Sequence, residues 1–94
     1  MYKPPAGHKI LFENDRVRVL DVQINPGETS EMHTHPANVV YALSSAQVVF
    51  SFPDGTSREV AIKEGDLVWS EGTTHEVRNI GDTPDRGIII ELKQ

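Results

Sequence analysis

Two histidines, His33 and His35, stand one residue apart in the stretch "EMHTHPANVVYAL". Successive side chains of a strand point to opposite faces, so on a strand these two project to the same side. Imidazoles placed in this way can bind one metal ion without distorting the backbone. A third histidine, His75, follows some forty residues later in "TTHEVRN", another predicted strand. Nitrogen-rich sites of this kind suit Zn, Fe, Ni, Cu or Mn. The ligating imidazoles must be neutral, so metal is expected to leave as the pH falls through the imidazole range. An incidental pair on an exposed strand face is the competing reading. The chain has no cysteine, which excludes disulfides, thiolate nucleophiles and cysteine-held zinc or iron–sulfur sites. Any metal must therefore be held by histidine, carboxylate, amide or water.

The elements that would position these residues are short and extended. In "RVRVLDVQI", Val17 and Val19 share one face while Leu20, Val22 and Ile24 share the other, a phase change that predicts a bulge or bend. "NPGE" places Pro26 and Gly27 at the centre of a tight turn. "VVYAL" is apolar on both faces, as a buried strand would be. "AQVVFSF" and "REVAI" flank "PDGT" as a hairpin, "KEGD" turns into "LVWS", and "GIIIEL" closes the chain. No long segment has helical periodicity. Eight or nine short strands at regular spacing predict an all-β sandwich or barrel.

The 94 residues are expected to form one domain, 1–94. A hydrophobic content of 37% with 24% charged residues describes a globular chain. A net charge of −5, with Lys and Arg scattered, argues against nucleic acid or an anionic membrane as partner. The start lacks a signal-peptide pattern, and no stretch is apolar enough to span a bilayer, so a cytoplasmic location is expected.

Two spaced motifs run through this pattern. Gly27 is followed after five residues by His33-Thr34-His35, and Gly65, Gly72, His75 and Asn79 form a second arrangement. Together they resemble the signature motifs of the cupin superfamily over nearly the whole chain. The resemblance implies a cupin-type jelly-roll β-barrel with His33, His35 and His75 facing its interior as metal ligands. The chain also departs from the pattern. The family's glutamate ligand would fall at Val39 or Val40, or by counting back from Ser45 at Asn38, and the second motif's proline is replaced by Ser70 or Glu71.

Other residues could complete the ligand set. Asn38 can offer a carbonyl oxygen. Glu31 has the parity of His33 and His35 and would share their face if the strand begins early enough. Glu71 lies in the loop before His75. For each glutamate the favoured reading is a solvated side chain at a strand end. Glu76 has the wrong parity, and His8, outside both motifs, is expected at the surface. Asn79 is expected to bond backbone at a strand end, and Tyr41, Phe50 and Trp69 are candidates for a substrate pocket.

Three neutral imidazoles on a divalent ion leave open positions and an undiminished charge, suited to polarising an anionic oxygen or to binding substrate beside O₂. The expected function is a mononuclear metal cupin acting on a small organic molecule, dioxygenase-like or isomerase-like. The rival reading is a non-catalytic ligand-binding or sensor module, favoured by the missing glutamate. A metal-free sugar isomerase would need a base that the sequence does not offer. A barrel with open strand edges is also expected to pair as a homodimer.

Overall fold

The computed structural model describes residues 2–93. Among these described residues nine strands follow one another: β1 (His8–Glu13), β2 (Val17–Ile24), β3 (Thr29–His35), β4 (Asn38–Ala42), β5 (Ala46–Ser51), β6 (Ser57–Ile62), β7 (Leu67–Ser70), β8 (Thr73–Asn79) and β9 (Asp85–Leu92). They form two antiparallel sheets, ordered β1-β2-β9-β4-β7 and β3-β8-β5-β6. Among the described residues, no helix is long and apolar enough to cross a membrane.

The turns are set by the residues that the sequence places there. Glu28 N–H donates to the Asn25 carbonyl at 2.9 Å, with Gly27 at φ +82°, the left-handed conformation a tight turn asks of its third residue. "PDGT" joins β5 and β6 as a hairpin, closed by Phe52 N–H to the Thr56 carbonyl at 2.9 Å.

The two sheets pack face to face over Leu20, Val22, Ile24, Ala46, Val48, Val77 and Ile89. Burying this apolar set is the main drive to close the barrel. Asn79, fully buried, serves the backbone. Its amide donates to the carbonyls of Ile24 (2.9 Å) and Thr83 (2.8 Å), and its oxygen accepts from Gly81 N–H.

Two expectations about strand phase are corrected. β2 pairs with β9 without interruption from Val17 to Ile24, and the irregularity lies in its other neighbour, between Ile10 and Phe12 of β1. Val17 and Val19 are apolar because the outward face of this sheet is itself apolar, not because the strand bends. β4 is likewise buried on one face only. Asn38, Val40 and Ala42 line the interior, while Tyr41 stands outside, 44% exposed.

Candidate metal centre

The pairing of β3 with β8 places His33 directly opposite His75. His35 lies two residues further along β3 on the same side and is buried. The ring centroids of His33 are 4.7 Å from His35 and 4.9 Å from His75, and His35 and His75 are 5.6 Å apart. His8 joins them. At the start of β1 its ring stands 5.1 Å from His33 and 5.4 Å from His35, half-buried, so the expected surface position is corrected. The ligating atoms of His8, His33 and His35 all lie within 4.8 Å of one another, close enough to hold one metal ion. The cause is non-local: β1 reaches the site only because His8 pairs with Val22 of β2.

Three of the rings have one nitrogen committed to an oxygen. His33 Nδ1 donates to the Glu31 carbonyl at 2.6 Å, His8 Nδ1 to the Ala6 carbonyl at 3.0 Å, and His35 Nδ1 to the Glu91 carboxylate at 2.5 Å. A proton held on Nδ1 leaves the lone pair on Nε2. The Nε2 of His33 is buried and has no hydrogen-bond partner among the described residues. A buried polar atom left unpaired is costly, and a metal ion is the partner this donor set fits. His75 is held differently, stacked on Phe50 with ring centroids 5.0 Å apart. Burial pushes His8 and His75 down to about 4 from the ordinary 6.5, and lowers His33 in the same direction. All three are therefore neutral at pH 7, the state in which imidazole binds metal.

Glu91 is 1% exposed and was not singled out by sequence reasoning. The available signal was parity, since Gly87, Ile89 and Glu91 share the inward face of β9. Its carboxylate accepts a hydrogen bond from His35 Nδ1 and faces Arg18, whose Nη1 lies 3.5 Å from Glu91 Oε1. Arg18 is itself fixed by two hydrogen bonds to Glu13 and stacks on the Tyr2 ring at 3.5 Å.

The remaining candidates fall out unequally. Glu31 does not share the histidine face. Ser30 pairs with Val77 and His33 with His75, so β3 carries one extra residue between them. This bulge shifts the phase: Ser30 turns inward, while Glu31 is exposed and contributes only its main-chain carbonyl. Glu71 is exposed and accepts a hydrogen bond from Trp69 Nε1, away from the cluster. Asn38 is buried at the cavity wall, with its amide nitrogen committed to the Pro36 carbonyl at 2.8 Å. Tyr41 points outward and is not part of the cavity lining, which corrects its candidacy.

Below the histidines lies a cavity of about 370 Å³, within the usual range for small-molecule sites. Val22, Val40, Phe50, Val60, Val77 and Ile89 give it an apolar wall, with His8, His35 and His75 at one part of its lining. Trp69 lines it at an exposed edge on β7, and Asp85, whose carboxyl is raised by burial, is also in the wall.

No family model and no curated protein sequence matches this chain. Solved structures do. A cupin domain from Bordetella pertussis Tohama I is 28% identical, with 100% of this chain and 99% of that one aligned at a TM-score of 0.86. An RmlC-like cupin family protein with a double-stranded β-helix fold from Methanocaldococcus jannaschii is 15% identical, covering 98% of this chain and 83% of that one at a TM-score of 0.70. A polyketide cyclase from Streptomyces resistomycificus shares the fold at 18% identity and a TM-score of 0.67, over 96% of this chain and 68% of that one. With two facing antiparallel sheets and this likeness over its whole length, the chain has the cupin fold, a double-stranded β-helix.

Proposed function

We propose that this cupin holds one divalent metal ion on His33, His35 and His75 and uses it to bind a small, largely apolar organic molecule through an anionic oxygen. The observation that carries the reading is the buried, unpartnered Nε2 of His33 beside rings whose other nitrogens are already bonded. A bound ion would supply Lewis-acid polarisation of that oxygen, and Zn, Fe, Mn, Ni and Cu all suit imidazole donors to some degree. The chain's own residues do the rest. The Glu91 carboxylate fixes the His35 ring and its tautomer. Val40, Val77, Ile89 and Phe50 exclude water and receive the apolar body of the ligand, and Phe50 holds the face of the His75 ring.

A binding module without turnover is the second reading. It is favoured by Val40, which faces the cavity where the family pattern expects a carboxylate. Elemental analysis of untagged protein purified without chelator, beside the His33→Ala, His35→Ala double variant, tests the metal. Near-stoichiometric metal in the parent and none in the variant is the expected result. No metal in the parent, even after addition of Fe(II), Zn, Mn, Ni or Cu, refutes the metal reading and leaves the binding module.

A further inference from the structure

Of the two valines at the family's glutamate position, only Val40 lines the cavity, and it cannot ligate. We propose that His8, from the first strand, supplies the missing protein ligand, so that the ion is held by four neutral imidazoles and by no carboxylate. This rests on the metal reading above and adds to it a residue that lies outside both motifs.

Three observations place His8 in that role. Its ligating atom lies within 4.8 Å of those of His33 and His35, so one ion can reach all three. Its Nδ1 donates to the carbonyl two residues earlier, at Ala6, as His33 Nδ1 does to Glu31. The two rings thus carry their protons alike, and each keeps its Nε2 lone pair free to ligate. Finally, the segment that carries His8 is anchored at the site. The Ala6 carbonyl also accepts from Ser30 Oγ at 2.7 Å, and the Gly7 carbonyl accepts from Gln23 N–H at 2.8 Å. Gly7 sits at φ +79°, where an added Cβ would come within 2.9 Å of the Gln23 carbonyl oxygen. Only glycine lets the chain approach β2 closely enough at this point to deliver the next residue to the cluster.

The electrostatic result is distinctive. A carboxylate ligand would cancel part of the ion's charge, whereas four imidazoles cancel none. Glu91, a buried carboxylate beside the site, is bonded to the His35 ring and stands outside the grouping of ligating atoms. The centre therefore keeps its full attraction for an anionic oxygen of the incoming molecule.

The test combines ¹⁵N-histidine NMR of the parent with chelator-competition titrations of Zn(II) and Co(II) against parent, His8→Ala and His8→Gln. The expected result is that the His8 Nε2 resonance moves into the metal-bound range on Zn(II) addition, together with those of His33, His35 and His75. Both variants should lose affinity by at least about tenfold, since removing a mere outer partner of a ligand already costs 10–100-fold. Variants within about twofold of the parent, with His8 Nε2 unmoved while the other three shift, would overturn the inference and leave the three-histidine centre standing. No shift on any ring would remove both. Should either variant fail to fold, the NMR of the parent decides alone.

Discussion

Replacing Glu91 separates the parts of the buried network. Its carboxylate accepts the His35 Nδ1 proton at 2.5 Å, lies 3.5 Å from Arg18 Nη1, and is 1% exposed. Glu91→Ala removes a charged acceptor from a buried donor, an effect of about 1.5–3 kcal/mol. It also strips packing volume from the interior, so the total approaches the roughly 3–5 kcal/mol of a broken buried pair. The lower end is the better expectation, because Arg18 keeps its two hydrogen bonds to Glu13 and is not left uncompensated. About 3 kcal/mol corresponds to a fall of some 12–24 °C in Tm for a domain of this size. Glu91→Gln keeps the volume and one acceptor oxygen, and should cost about half as much. Glu13→Ala, at a solvent-screened pair, should cost far less than either Glu91 variant. The assay is urea unfolding of metal-free protein in chelator, checked for equal m-values. A loss below about 1 kcal/mol in Glu91→Ala would refute the account, because it would mean that His35 and Arg18 do not depend on the carboxylate.

Metal-free protein should also lose stability on mild acidification. Burial holds His8 and His75 at about 4 against an ordinary 6.5, so between those values the unfolded chain carries more protons than the folded one. Stability must then rise with pH across that window, being fully present above about 6.5 and lost as the pH falls toward 4. Urea midpoints at pH 7.5, 6 and 5 measure this, and a flat profile would contradict neutral buried rings. On the outer face of the five-stranded sheet, register joins Phe12, Val19, Ile90, Val39 and Trp69 in one apolar row across β1, β2, β9, β4 and β7. Phe12 is 54% and Trp69 51% exposed. We expect a homodimer through this face, read by light scattering and dispersed by Trp69→Arg, and a monomer at high concentration in the parent would refute it.

Much of this arrangement was legible because strands announce themselves by alternation and turns by their glycines and prolines. That His33 and His35 share a face was legible because local spacing fixes which strand face a residue takes, whereas His75 was joined to them by the resemblance of the two motifs. Where reading failed, the deciding fact was non-local. Nothing near His8 indicates that β1 will pair with β2 in the register that carries its ring to the cluster. Glu31 was misplaced by a bulge whose extra residue shows only against the partner strand. Tyr41 sits in a run apolar on both faces, and such a run does not say which face meets the core. Glu91 closes an apolar strand, where a charged residue reads as a solvated end until the sheet order brings Arg18 and His35 to it.

The bulge in β3 has a consequence for how portable such a site is. In a regular ladder the main-chain carbonyls lie in the plane of the sheet and are consumed by the neighbouring strands. Glu31 and Met32 have no partner on β8, and the carbonyl so released turns to His33 Nδ1. One residue of extra length thus chooses which nitrogen of a histidine carries the proton. Grafted onto an unbulged strand, the three letters His-Thr-His would bring both rings to one face, but would leave the tautomer of the first to chance.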